Sequence, residues 1–207
     1  MARRSSLLLL FLTASLAVPF PAVPFALNGL GKGDAVPDMA FVGITADGGT
    51  LSSFAGEKGL IVIYWTTRSA RSPAILEFAE KELRGYGKYG MNLLAVNADG
   101  REMRTEDIAA VKARTRELGV SFPVVLDAAL KGYDDLGIGG VPAVVILDRN
   151  LAILEAYGGF PPTARADIRN FLDAFLGIGK KSGDGAEDRP ARGAAADTGS
   201  GPGGSTE

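Results

Sequence analysis

Four short apolar runs, almost free of polar residues, decide what this chain can fold into. They span residues 60–65 (LIVIYW), 91–96 (MNLLAV), 123–126 (PVVL) and 143–147 (AVVIL). A strand with one wet face alternates apolar and polar residues, whereas a near-continuous run fits a strand covered on both faces. Two hairpins flank these runs. Residues 41–44 and 50–51 enclose the turn Ala46-Asp47-Gly48-Gly49, and residues 151–157 follow the turn Asp148-Arg149-Asn150. Helical spacing fills the intervals. Ile75, Phe78, Ala79, Leu83 and Tyr86 form one stripe, and Ile108, Val111 and Leu118 form a weaker one. Ile168, Phe171, Leu172, Phe175 and Leu176 form the strongest. The order is hairpin, strand, helix, strand, helix, three strands, helix. It predicts an α/β fold with a central sheet covered by helices on both faces.

The two ends of the chain read differently from its middle, residues 35–178. Arg3 and Arg4 precede an apolar stretch over 7–18, and Ala17, Ala22 and Ala26 offer cleavage edges. This run is shorter than the roughly 20 residues a spanning helix needs. Pro19, Pro21 and Pro24 follow it. Residues 1–26 are therefore expected to be a signal peptide, with an uncleaved anchor as the alternative because no charge occurs over 5–30. The chain is thus expected to be exported to a bacterial periplasm or cell envelope, with no membrane contact beyond that anchor. Residues 180–207 contain no aromatic residue and no Val, Ile, Leu or Met. They cannot bury enough apolar surface to offset ordering entropy, so a disordered tail is expected.

Composition removes whole classes of chemistry. The 207 residues include no Cys and no His. Disulfides, thiolate nucleophiles and thiolate metal sites are excluded, as are histidine bases and a Ser-His-Asp triad. There are 22 basic and 24 acidic residues, a net charge of −2, and no basic surface of the kind nucleic acid calls for. Loss of residues 1–26 would remove two arginines and no acid, leaving −4. Asp134-Asp135 supplies too few oxygens for calcium. No cofactor or metal site is expected.

The most informative segment is residues 61–78, IVIYWTTRSARSPAILEF. A buried strand leaves through Trp65 into a short loop, and Ser72-Pro73 reads as a helix start with Ser72 as cap. The loop presents Arg68, Ser69, Ala70 and Arg71 at a helix N-terminus, where free N–H groups favour negative charge.

This segment resembles the active-site region of TlpA/ResA-type thioredoxin-like proteins, within the AhpC/TSA redoxin group. That family has an apolar strand, then Trp-x-x-x-Cys-x-x-Cys, then a helix. Trp65, Thr66 and Thr67 match the approach, and Ser69 and Ser72 stand where the cysteines would be. The resemblance continues through Val36-Pro37-Asp38, through residues 122–127 (FPVVLD) and through residues 133–147 (YDDLGIGGVPAVVIL). It implies a thioredoxin-like fold with an N-terminal hairpin, and a cis proline at Pro142 beside the site. Ile75 and Ala143 replace residues that are often polar in the family.

The departures bear on function. A serine hydroxyl forms no disulfide and is a poor nucleophile without a base. The expected function is a non-catalytic protein- or peptide-binding module. Its groove would comprise Trp65, Arg68, Ala70, Arg71, Val141 and Pro142, and its partner would be an exported or envelope protein or peptide. The alternatives are a structural component of an envelope complex with a vestigial site, and a redoxin by resemblance only. Anion handling at the Arg-flanked helix end is an enzymatic reading that lacks a general base.

Overall fold

The computed structural model describes Leu27 and residues 29–179. The expected export segment 1–26 and tail 180–207 lie outside the described residues. The chain runs β1 (Ala40–Gly43), β2 (Gly49–Thr50), α1 (Leu51–Phe54), β3 (Gly59–Trp65) and α2 (Ser72–Lys81). A 3-10 stretch over Leu83–Tyr89 leads to β4 (Met91–Asn97), α3 (Thr105–Glu117) and β5 (Val124–Leu126). A second 3-10 turn, Ala128–Leu130, precedes α4 (Lys131–Asp135), β6 (Ala143–Asp148), β7 (Ile153–Gly158) and α5 (Ala164–Leu176).

The strands form one mixed sheet in the order β2-β1-β5-β4-β3-β6-β7. β3 runs parallel to β4, with Gly59 opposite Met91 and Trp65 opposite Asn97. It runs antiparallel to β6, with Leu60 opposite Leu147 and Tyr64 opposite Ala143. All of β3 is buried, as its unbroken apolar run requires. Its residues alternate between two cores. Ile61, Ile63 and Trp65 pack with Ile75, Leu76 and Phe78 of α2, Val111 of α3, and Ile168 and Leu172 of α5. Leu60, Val62 and Tyr64 pack on the other face with Leu51 of α1, Val36, Met39, Leu136 and Leu151. Each fully buried aliphatic side chain contributes about 1.5–3 kcal/mol. The two-faced sheet is thus the main store of stability.

Three local features refine the sequence reading. Leu51, expected at the end of a strand, instead opens α1 and is fully buried. The weak stripe of α3 has a cause: Val111 is its one fully buried apolar residue, and Thr115 is buried only by donating its hydroxyl to the Val111 carbonyl (3.1 Å). The strong stripe of α5 is split, because Ile168 and Leu172 are buried while Phe175 is 40% exposed.

Asp127, part of the FPVVLD segment, is 1% exposed and accepts N–H donors from Gly132 (3.0 Å) and Tyr133 (2.6 Å). It thereby closes the turn in which Ala129 and Leu130 adopt positive φ (60° and 56°). A side chain at Gly132 would meet the Tyr64 hydroxyl at 2.6 Å, so only glycine fits there. Among the described residues, no helix is long and apolar enough to cross a membrane.

Glu80 ties α2 to the loop before β5. Its carboxylate accepts the Ser121 N–H (2.9 Å) and hydroxyl (2.8 Å) and pairs with Arg84 at 3.0 Å. Burial pushes its pKa up, but the Ser121 hydrogen bonds and Arg84 outweigh that and hold it below the ordinary value. A depressed carboxyl pKa gives stability that is present above the unfolded value and lost as pH falls through the folded one. Glu80→Gln is therefore expected to cost about 1 kcal/mol in urea melts at neutral pH. That difference should shrink toward zero below about pH 4.

Candidate functional site

The site lies where β3 and β4 end side by side. Parallel pairing carries Trp65 to Asn97, so the chain leaving β3 runs beside the chain leaving β4. The Ala98 N–H donates to the Trp65 carbonyl (2.9 Å) and prolongs the pairing by one step. The next residue, Asp99, then reaches back. Its carboxylate accepts the Thr67 N–H (2.9 Å), the Thr67 hydroxyl (3.1 Å) and the Asn97 amide (2.9 Å). Arg68 closes the cluster, with its guanidinium on the Asp99 carbonyl and its Nε 3.8 Å from the carboxylate. The Asp99 side chain is only 11% exposed. A carboxylate that buried needs such donors.

Three of the four hydroxyls of the motif loop, those of Thr66, Ser69 and Ser72, receive backbone donors. Thr66 N–H donates to Ser72 Oγ (3.2 Å), and Ser69 N–H donates to Thr66 Oγ1 (3.2 Å). Arg71 N–H points to Ser69 Oγ at a longer 3.4 Å. Ser72 is 2% exposed. It does not cap α2 as expected: Arg71 occupies the cap position without a side-chain cap bond, and Ser72 is the first helical residue. Its hydroxyl is turned back to Thr66 instead of forward onto the helix.

The remaining expected residues divide by exposure. Trp65 is fully buried in the core and its indole N–H has no partner, so it presents no surface to a ligand. Arg68, Ala70 and Arg71 are exposed, Ser69 and Val141 are half-buried, and Pro142 is buried. The Val141–Pro142 peptide is cis. A backbone relay joins the two halves of the site. The Arg71 guanidinium donates to the Gly159 carbonyl (3.1 Å), and the Gly159 N–H donates to the Pro142 carbonyl (2.8 Å). Arg71 is thus anchored to the end of β7 and is not a free loop side chain. Asp134 and Asp135 lie on α4 and pair with Arg101 and Lys131.

Comparison with known proteins agrees with this geometry. No family model matches the chain. The thiol-disulfide oxidoreductase ResA of Geobacillus thermodenitrificans is 23% identical over 171 residues, covering 82% of this chain and 93% of that one. ResA of Geobacillus kaustophilus is 22% identical over 143 residues, covering 69% and 77%. Among solved structures, a putative thiol:disulfide interchange protein DsbE from Chlorobium tepidum aligns with TM-score 0.60 and 24% identity, covering 71% of this chain and 99% of that one. A hypothetical protein from Sinorhizobium meliloti aligns with TM-score 0.62 and 22% identity, covering 72% and 85%. The chain has a thioredoxin-like fold and is similar to the TlpA/ResA-type proteins. It differs from a thiol-disulfide oxidoreductase at the one place where the reaction would occur. In this chain the two motif positions are serines held as hydrogen-bond acceptors, and no cysteine is present anywhere.

Sequence reasoning missed Asp99 and Gly159. Asp99 follows an apolar run with nothing local to mark it. Only the β3–β4 register places it beside Thr67. Removing it leaves the Thr67 N–H and the Arg68 guanidinium without their acceptor. Asp99→Ala is expected to cost about 1–3 kcal/mol. It should also speed amide exchange at Thr67 while leaving the centre of β3 protected, as read by hydrogen-exchange mass spectrometry.

Proposed function

We propose that this protein is an exported, non-catalytic binding module that holds an exported or envelope protein or peptide at its degenerate redox site. One observation carries the reading. The loop over 66–72 is held by hydrogen bonds at Thr66, Ser69 and Arg71 and joined to the Pro142 loop through Arg71 and Gly159, yet it contains no thiol. Strand register brings the two loops together, and the Arg71–Gly159 bridge that the register does not require supports a surface that is used. Arg68, Ala70 and Arg71 remain exposed on it, with Val141 half-buried in the adjoining loop. Export follows from residues 1–26, read as a signal peptide, and places the partner in the periplasm or envelope.

The first expected outcome is negative chemistry. The purified protein should not accelerate insulin reduction by dithiothreitol, because no thiolate is available to attack a disulfide. Any rate above the protein-free control contradicts the reading of the two serines.

The second expected outcome concerns binding. A photo-crosslinking residue at Arg68 should capture a discrete partner in intact cells. The same residue at Lys81, exposed at the far end of α2, should not. Capture only from Lys81, or from neither, would leave the site vestigial and point to a structural role elsewhere on the surface.

A further inference from the structure

Next to the motif loop lies an open groove lined by Arg71, Ala74, Phe160, Pro161, Pro162 and Arg165. Its lining holds two arginines and no acid. Among the described residues neither arginine forms an ion pair, whereas neighbouring Arg68 is paired with Asp99. Arg71 uses one donor on the Gly159 carbonyl. A guanidinium has five, so the others remain for a ligand.

Arg165 is held without being neutralised. Its Cζ lies 5.6 Å from the ring centroid of Phe78 and the same distance from that of Phe160. The two rings are themselves in contact, 5.6 Å apart and tilted by 39°. Aromatic contact holds the guanidinium while its N–H groups meet no acceptor among the described residues, which leaves them for a carboxylate. Phe160 reaches this position with φ at 46°, a region bulky residues avoid. The helix gains nothing from Arg165, because the first turn of α5 favours negative charge.

We infer that this groove docks an acidic segment of the partner protein, in which an Asp or Glu carboxylate sits on Arg165 and Arg71 and a neighbouring apolar side chain packs on Phe160, Pro161 and Pro162. The inference rests on the binding-module reading and names its ligand chemistry. Charge complementarity selects an acidic partner over a basic or neutral one. The apolar floor selects a protein segment over a small inorganic anion.

The test uses the full-length protein and two fluorescein-labelled hexapeptides, Gly-Phe-Asp-Glu-Phe-Gly and its amide twin Gly-Phe-Asn-Gln-Phe-Gly, read by fluorescence anisotropy. The acidic peptide should bind at least about tenfold more tightly than its twin. Arg165→Gln should remove that preference, Arg165→Lys should restore part of it, and Lys81→Gln should leave it unchanged. Raising NaCl from about 0.05 to about 0.5 M should weaken the acidic peptide and not its twin. Equal binding of the two peptides, no binding at millimolar acidic peptide, or an unaltered preference in a folded Arg165→Gln protein overturns the acidic groove. Crosslinking at Arg68 is read separately. Partner capture that persists alongside any of those results removes the groove's assignment and leaves the binding module standing.

Discussion

Everything in this molecule hangs on β3 being buried on both faces. A strand with no polar residue to spare must lie in the middle of a sheet, and it must deliver its chain to solvent at its carboxyl end. Parallel pairing with β4 then fixes what meets it there. Trp65 lies opposite Asn97, so the loop after β3 and the loop after β4 emerge together. Antiparallel pairing with β6 brings Ala143, and hence the cis Val141–Pro142 peptide, to the same end. The site is therefore a consequence of strand register. No separate device is needed to assemble it.

That origin explains why the site's geometry survives the loss of its chemistry. In a dithiol enzyme the motif sulfurs would react. Here the corresponding hydroxyls accept backbone hydrogen bonds, and hydroxyl oxygen is a better acceptor than a thiol. Ser72 Oγ satisfies the Thr66 N–H in a place with almost no solvent, where an unmet donor would be costly. Asp99 does the same for Thr67 from the neighbouring loop. These contacts hold the turn in place, and Arg68 and Arg71 beside it remain exposed.

How much of this could be read from the chain differs by scale. The four apolar runs identified the inner strands, since continuous burial leaves a pattern that no tertiary context overrides. The hairpins and the α5 stripe were legible for similar reasons, although Phe175 shared the periodicity without the burial. Register was not legible. Asp99, Gly159 and the Phe78–Phe160–Arg165 cluster depend on which strand ends lie side by side, and no local spacing encodes that. Ser72 was misread as a cap because its sequence context, Ser-Pro before an apolar stripe, is that of a cap. Tertiary proximity to Thr66 redirected its hydroxyl. Trp65 reads as part of the groove from sequence, and the depth of β3's end places it in the core instead.

The same proximity bears on how readily the dithiol reaction of its relatives could be installed in this protein. Placing cysteines at positions 69 and 72 would supply sulfur but remove the acceptors that hold the Thr66 and Arg71 N–H groups. Ile75, one turn into α2 and fully buried, would still offer no proton carrier. Asp99 would still pin the loop through Thr67. The departure from the dithiol motif is therefore spread over several residues that stabilise one another, and restoring the two cysteines alone would not recreate the environment of that motif.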